Sequence, residues 1–430
     1  MRLNEKYIKI SDEQVQLKFY MLDQNQMDTH LKPDRSEFSL LPTRLIIFVC
    51  FLGAVLSVSA NTSPSNTNFP LAPAGYTDLT SYQIHQVQTQ CQDLNCLQRL
   101  AQSQNALGDY REFARTMLHQ SLHASLRQQQ PNLDLNSLQA FAQLPPRRLS
   151  HTQQQFALPI INAQQINTAT DYFHPGLDAR PRLTLEFNGK AQAMIFDTGA
   201  GLDLPAEFAQ QFADQFIKTK ASSSTAAALT YATPFVRIDT IKFGPVEIEN
   251  AVSSVRVQAA GMANTASATS GLFGTSEFLH FANVLVDIQA GFLEFNSTKK
   301  LPNCLPLRLR FNSRHTLEGL VVPLQINGLT ISARLDTGAN SGLLLHNTKL
   351  RDPDKIEGDV MMVMKDLAGN RFGLKQEAVT LQLGRQQAKQ NALIAGFDHP
   401  AFDATLGIKF FQRRAFMLDF LRSELCTELF

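Results

Sequence analysis

Two stretches of the sequence decide the fold: RLTLEFNGKAQAMIFDTGA at residues 182–200 and VVPLQINGLTISARLDTGA at residues 321–339. In each, an apolar run leads to an Asn-Gly pair, and a second apolar run ends in Asp-Thr-Gly-Ala. This pattern is typical of a β-hairpin, because Asn and Gly tolerate the positive φ of a tight turn between strands. The two copies align without a gap at an offset of 139 residues, which indicates an internal repeat.

The repeat extends beyond these hairpins. Three further landmarks recur in the same order: a strand pattern ending near Gly (238–244 and 379–384), an apolar element ending in Gly (271–274 and 405–407) and a strand ending in Asp (284–287 and 416–419). We therefore predict two copies of one β-rich half-domain, the first over residues 161–304 and the second over residues 305–430.

The composition agrees with a β-rich globular protein and argues against a nucleic-acid partner. The 430 residues include 30 Phe and no Trp, in many short apolar runs bounded by Gly, Pro and Asn. Lys and Arg total 39 against 38 Asp and Glu, and no long basic run stands out. The sequence therefore lacks the electrostatic footprint of a nucleic-acid-binding protein.

The N-terminal part of the chain predicts export. An uncharged apolar run covers residues 45–58, with Arg44 before it and Val58-Ser59-Ala60 at its end. The run is shorter than the roughly 20 residues of a membrane span, and small residues at this spacing are typical of a signal-peptidase site. We predict that residues 1–60 are a leading segment with a signal peptide or an uncleaved membrane anchor, and that the protein is periplasmic or secreted.

Four cysteines lie outside the apolar run, at Cys91, Cys96, Cys304 and Cys426. An even number is compatible with an oxidising compartment, and the spacings of zinc sites are absent, so we predict disulfides and no metal. Three pairings are open. We favour Cys304 with Cys426, because each follows the last predicted strand of its half, and a local Cys91–Cys96 link.

One helical segment is predicted between two linkers ahead of the repeat. The linkers are residues 61–79, rich in Asn, Ser and Pro, and residues 131–160, which begin with a Gln- and Pro-rich stretch. Between them, residues 80–130 carry apolar side chains at spacings near three and four, with a turn at residues 106–110. The pattern resembles one tetratricopeptide-like hairpin. A lone hairpin cannot bury its own face, so a helical prodomain or packing element is the preferred interpretation.

The paired Asp-Thr-Gly-Ala motifs carry the functional prediction. A duplicated structural turn is the simpler alternative, since Asp and Gly are ordinary turn residues. Peptide hydrolysis by water, however, needs a base and an acid, and two carboxylates that share one proton supply both. A two-fold repeat would bring Asp197 and Asp336 together. The supporting loop residues are Thr198, Gly199, Ala200, Thr337, Gly338 and Ala339.

These motifs resemble those of the retropepsin and pepsin clan of aspartic peptidases, over residues 180–425. Ala200 and Ala339 are more similar to the retroviral-type branch, whereas two halves in one chain are similar to the pepsin arrangement. The chain thus looks like a bacterial tandem retropepsin-like enzyme. The resemblance implies a mainly β fold with two tandem β-barrel half-domains related by a pseudo-two-fold axis, catalytic Asp197 and Asp336, and no cofactor.

The resemblance also implies flaps, which are hairpins that close over a bound peptide. By order along the chain they fall at residues 221–235 and 361–375. Tyr231 resembles the flap tyrosine of pepsins, although Ala232-Thr233-Pro234 stands where Gly residues are expected. Gly369 marks the tip of the second flap.

Together these features predict an aspartic endopeptidase that acts as a monomer on a peptide or protein substrate. The alternative is a catalytically inactive duplicated fold that binds a peptide or a partner protein. The irregular first flap favours the alternative, and the intact motifs oppose it. Because Ala200 and Ala339 lack the hydroxyl group common at this position in pepsin-like enzymes, we predict a weakly acidic to near-neutral pH optimum.

Overall fold

The computed structural model describes residues 69–86, 91, 93–119, 135–172, 174, 176–217, 222–224, 230–232, 234–256, 269–346, 362–365, 371–383, 386–395 and 399–428. The predicted export signal at residues 45–58 and Gly369 lie outside these residues. Within them, no helix is long and apolar enough to cross a membrane.

Most of the longer helices precede the repeat. They are α1 (Ser81–His85), α2 (Leu94–Ala106), α3 (Tyr110–Met117), α4 (Leu135–Ala142), α5 (Ala163–Thr168), α6 (Ala206–Ala209) and α7 (Thr275–Phe278), with 3-10 helices at Gln210–Gln215 and Ile408–Phe411. The predicted turn lies between α2 and α3. There the Asp109 side chain accepts a hydrogen bond of 3.2 Å from the Glu112 N–H, and this N-cap begins α3.

Strands account for most of the remaining regular structure. Before residue 300 they are β1 (Thr77–Leu79), β2 (Arg148–Ser150), β3 (Phe156–Pro159), β4 (Arg182–Phe187), β5 (Lys190–Asp197), β6 (Asp203–Pro205), β7 (Phe216–Ile217), β8 (Ser222–Ser224), β9 (Thr230–Ala232), β10 (Phe235–Phe243), β11 (Val246–Arg256), β12 (Gly271–Gly274), β13 (Asn283–Asp287) and β14 (Phe292–Phe295). After it they are β15 (Asn303–Pro306), β16 (Arg308–Phe311), β17 (Leu317–Ile326), β18 (Leu329–Asp336), β19 (Leu343–Leu345), β20 (Met362–Lys365), β21 (Arg371–Leu383), β22 (Gln386–Ala395), β23 (Ala404–Gly407), β24 (Phe416–Asp419) and β25 (Glu424–Thr427).

Six strands in each half close into a barrel. In the first half, hydrogen-bonded neighbours follow the order β4-β5-β12-β6-β11-β10, and β10 pairs back with β4. In the second half the order is β17-β18-β23-β19-β22-β21, and β21 pairs back with β17. Each strand of one barrel has its counterpart at the same place in the other. The predicted mainly β fold with two tandem barrels is therefore confirmed.

The repeated hairpins form as the sequence predicts. β4 pairs with β5 and β17 with β18, each in antiparallel register. At the turns, Asn188 has a φ of 47° and Gly189 one of 77°, while Asn327 and Gly328 have 51° and 82°. A two-residue turn with positive φ at both positions matches the twist of the flanking strands, so these residues fix the register of each hairpin.

A six-stranded sheet joins the two halves, in the order β15-β25-β24-β13-β14-β3. At its centre β13 pairs antiparallel with β24, with Val284 opposite Leu418. The sheet also holds the Cys304–Cys426 disulfide, and a second disulfide links Cys91 to Cys96. Both predicted pairings are confirmed. The argument for the Cys304–Cys426 pairing was wrong in one respect. The two cysteines do not follow the last strand of each half but lie opposite each other within the paired strands β15 and β25.

The predicted linkers contain ordered structure. Residues 131–160 include α4, β2 and β3, and residues 61–79 include β1. Here β1 pairs with β16, β2 with β11 and β3 with β14. The proposed boundary between the halves, after residue 304, falls inside β15. Composition misses such strands, because a short segment can be stabilised by the edge of a sheet that is distant in sequence.

The helical segment, together with α4, packs its apolar side chains against the first barrel. Phe113, Met117 and Phe141 cluster with Val252 of β11. Phe141 also meets Phe235 at the start of β10, with ring centroids 5.3 Å apart. The segment is thus part of the folded core of the protein, which agrees with the packing-element interpretation.

Candidate active site

The two Asp-Thr-Gly-Ala loops begin where β5 and β18 end, at Asp197 and Asp336. Each end is held by a parallel neighbour, because Asp197 is in register with Gly274 of β12 and Asp336 with Gly407 of β23. A Cβ atom at Gly274 would overlap the carbonyl oxygen of Ala200, so only glycine lets the bracing strand approach this loop. The two repeated apolar elements that end in Gly, β12 and β23, therefore occupy equivalent places in the two halves.

Two threonines connect the loops. The Thr198 N–H donates to the Thr337 Oγ1 at 3.0 Å, and the Thr337 N–H donates to the Thr198 Oγ1 at 3.0 Å. Each hydroxyl then donates to a carbonyl of the opposite strand, Thr198 to Leu335 at 2.9 Å and Thr337 to Phe196 at 2.7 Å. Both threonines are fully buried. The network locks the loops into one two-fold arrangement, as their position in the repeat predicts.

The same arrangement brings the two carboxyl groups together. Asp197 Oδ1 accepts from the Gly199 N–H at 2.8 Å, and Asp336 Oδ1 accepts from the Ala339 N–H at 2.9 Å. A Cβ atom at Gly199 would lie 2.5 Å from Asp336 Cγ, and one at Gly338 would overlap the Asp197 carboxyl group. Each glycine therefore makes room for the carboxyl group of the opposite half.

Burial controls the charge of the first carboxyl group. Asp197 is 5% exposed. Its burial, and next the negative charge of Asp336, raise its pKa to about 7, against weaker opposing effects of the Gly199 N–H and Arg334. A pair with these properties can hold one proton near neutral pH, which is what an acid and base pair requires.

Sequence reasoning missed Arg334, which lies two residues before Asp336 on β18. Its Nη1 is 3.6 Å from Asp336 Oδ2, and its Nη2 donates to the Gly199 carbonyl oxygen of the other loop. The signal was present, since the repeat aligns Arg334 with Ile195, and a charged residue therefore stands where the first half has an apolar one.

The raised pKa of Asp197 predicts a pH-dependent gain in stability for Asp197→Asn. Because the pKa is about 7 in the folded state and 3.8 without the fold, wild type loses stability as the pH rises from about 4 to 7. Asn carries no proton to lose. We expect the variant to exceed wild type by about 1–4 kcal/mol in unfolding free energy at pH 8, and the difference to vanish near pH 4.

Urea unfolding of both proteins at several pH values would measure this difference. Asp239→Asn is a suitable control, because its half-exposed carboxylate pairs with Arg237 at the surface. A stability difference between Asp197→Asn and wild type that does not change with pH would contradict the prediction.

Hairpins occur in both predicted flap regions. In the first, β8 pairs with β9 and places Tyr231 opposite Ser223. In the second, β20 pairs with β21, with Lys365 opposite Arg371 on either side of residues 366–370, where Gly369 lies. The flap roles of Tyr231 and Gly369 stay predictions.

One group of metal-ligand side chains occurs among the described residues, at Cys304, Glu424 and Cys426. Both sulfur atoms form the disulfide between β15 and β25, so they are not free to bind an ion.

No protein-family model and no curated protein matches the chain. Among solved structures, it is similar to a retropepsin-like aspartic protease from Rickettsia conorii, with 15% sequence identity and a TM-score of 0.22. The similarity covers 35% of this chain and 92% of that one. Likeness at this level carries no argument about activity, so function has to be inferred from the residues of the chain itself.

Proposed function

We propose that this protein is an aspartic endopeptidase with Asp197 and Asp336 as its catalytic residues. The observation that carries the proposal is the juxtaposition of the two carboxyl groups, each packed against the glycine of the opposite loop. The crossed threonine hydrogen bonds and the raised pKa of Asp197 support it. A rigid, buried pair that holds one proton is suited to activate water.

In the proposed reaction, a peptide binds in extended form between the halves, beneath the flap hairpins. The ionised carboxylate takes a proton from a water molecule, whose oxygen adds to the peptide carbonyl carbon. The protonated carboxyl group gives its proton to the carbonyl oxygen, forming a gem-diol. The carboxyl group that took a proton from water then protonates the amide nitrogen. A hydroxyl proton of the gem-diol passes to the carboxylate that had protonated the carbonyl oxygen, and the C–N bond breaks. Both carboxyl groups end in their starting states.

Both catalytic residues belong to one chain, which supports a monomer as the active form. The two disulfides are compatible with an oxidising compartment, and they support the proposal that the protein acts in the periplasm or is secreted. The proposed half-domains over residues 161–304 and 305–430 would each supply one aspartate and one flap.

A screen of a quenched-peptide library tests the proposal, with the full chain and its Asp197→Asn variant side by side. Cleavage that depends on Asp197 would support an endopeptidase. If wild type bound peptides in the same library and cleaved none, the inactive peptide-binding alternative would replace the proposal.

The residue after each Asp-Thr-Gly gives a prediction about pH. Ala200 and Ala339 have no hydroxyl group to donate to an ionised carboxylate, and such donation lowers a carboxyl pKa. We expect kcat/KM to peak in weakly acidic to near-neutral conditions, and the peak to move toward acid in the double variant Ala200→Ser with Ala339→Ser. A pH profile of kcat/KM checks both statements. A wild-type optimum below about pH 3 would show that the argument is wrong.

A further inference from the structure

The two active-site loops are alike in their hydrogen bonds but unlike in their charges. At the position two residues before the catalytic aspartate, the first half has Ile195, which is fully buried, and the second half has Arg334. Because side chains two apart on a strand point to the same face, a residue at this position lies beside the carboxyl group. A cation is therefore built into one side of the pair.

Groups on three different parts of the chain hold the Arg334 side chain, which is 14% exposed. On its own strand, Asp336 Oδ2 lies 3.6 Å from Nη1. Across the junction between the halves, the Gly199 carbonyl oxygen accepts from Nη2. The third contact is with Phe402, which precedes β23: its ring centroid lies 5.5 Å from the guanidinium carbon of Arg334. This geometry fixes the charge beside the dyad.

Asp336 is the group that balances the positive charge of Arg334. Among the described residues, Asp336 is the acidic residue that forms an ion pair with Arg334. Burial, and then the positive charge of Arg334, lower the pKa of His399 to about 3, so this neighbour is neutral. The buried His346 donates to or accepts from the Thr405 hydroxyl at 2.8 Å.

Two further charged groups pack nearby. Arg310 lies on the same Phe402 ring, 5.7 Å from its centroid, and its charge is paired with Asp78. The Glu318 carboxylate, on β17, accepts a hydrogen bond from the Asn312 side-chain amide at 2.5 Å. The next residue, Gly319, lies so close to Arg334 that a Cβ atom on it would be 3.1 Å from the Arg334 Nε.

We propose that Arg334 is a positioning residue that assigns the charges of the dyad: it holds the negative charge on Asp336, so that Asp197 carries the shared proton. This inference rests on the proposed function. It gives the otherwise symmetric pair fixed roles, with Asp336 as the base that takes a proton from water and Asp197 as the acid that protonates the peptide carbonyl. Because Arg334 also binds the loop of the first half through Gly199, it couples this charge to the junction between the halves.

The first test compares pH profiles of kcat/KM for wild type, Arg334→Met and Arg334→Lys. A positive charge beside a carboxylate favours its ionised form. We therefore expect the acid limb of kcat/KM to lie at higher pH in Arg334→Met than in wild type, and Arg334→Lys, which keeps the charge, to restore most of the wild-type limb. Arg256→Met is the control, since Arg256 is also largely enclosed and pairs with Asp203 at 2.9 Å in the first barrel. We expect both limbs of its pH profile to stay at their wild-type positions.

The second test does not need turnover. Carbon-13 NMR of the aspartate carboxyl carbons, assigned with Asp197→Asn and Asp336→Asn, follows the two groups separately in the full chain. In wild type we expect the Asp336 signal to remain that of a carboxylate while Asp197 is protonated, and the separation between the two titrations to narrow in Arg334→Met.

The inference would be overturned if Asp197 ionised at lower pH than Asp336. It would also be overturned if Arg334→Met left the pH interval between the two titrations unchanged. If wild type cleaves no peptide, the proposed function fails, but this titration still decides whether Arg334 assigns the charges.

Discussion

We expect Asp197→Asn and Asp336→Asn each to lower kcat for the proposed peptide hydrolysis by at least about 10³-fold, because each step of the proposed reaction needs a carboxyl group that can lose or gain a proton. Asn is nearly isosteric and can still accept the 2.8 Å hydrogen bond from Gly199 or the 2.9 Å bond from Ala339. The fold should therefore persist, and a statine-type inhibitor should reveal an intact cleft. Initial rates with a fluorogenic peptide measure the effect.

A surface aspartate provides the control for this experiment. Asp239 on β10 pairs with Arg237 at 2.9 Å and is half exposed, far less buried than the dyad. We expect Asp239→Asn to keep wild-type activity within about two-fold, as surface substitutions rarely alter a distant site. Retention of more than a few per cent of activity in both dyad variants would remove the assignment of Asp197 and Asp336.

We expect Asp78→Asn to lower the unfolding free energy by about 3–5 kcal/mol, which is the usual cost of leaving a buried arginine without its carboxylate. Arg310 is completely buried, and its Nε and Nη2 bind Asp78 at 2.8 and 2.7 Å in a bidentate pair. Nη1 binds the Ser332 hydroxyl at 3.0 Å. The pair attaches β1 to the second barrel, so its loss should also release the N-terminal strand.

A double-mutant cycle separates the cost of an unpaired charge from the value of the pair. We expect Asp78→Asn combined with Arg310→Met to be less destabilised than the sum of the single variants, because no buried charge is left alone. The matched control is the exposed pair of Arg148 with Glu249 at 3.8 Å, where Glu249→Gln should cost less than about 1 kcal/mol. Chemical denaturation measures all variants. Equal losses at both pairs would contradict the prediction.

The linkers and the helical region show where sequence patterns are a good guide and where they fail. Apolar spacing predicted α2 and α3 with the turn between them, since a helix that packs on a core must show its period. A Gln- and Pro-rich composition, in contrast, assigned residues 131–160 to a linker, although β2 and β3 lie there. Arg147, also in this stretch, forms a buried ion pair with Glu277. Nothing local marks such segments, because their stabilising partners are 97 or more residues away.

The sequence by itself determined the two-fold design of this protein. The gapless repeat, the Asn-Gly turns and the two Asp-Thr-Gly-Ala motifs are local features, and the backbone geometry of a tight turn or a strand depends on adjacent residues. They were enough to predict two copies of one β-rich half-domain and to select Asp197 and Asp336, and the family resemblance that the motifs carry implied the two barrels.

Only the tertiary structure decided which groups meet at the junction of the halves. It showed that each glycine accommodates the carboxyl group of the other loop, that burial raises the pKa of Asp197 to about 7, and that Arg334 reaches both Asp336 and the Gly199 carbonyl. The physical reason is that proton affinity depends on burial and on charges within a few ångströms. Those neighbours come from strands 139 residues apart, and folding alone brings them together.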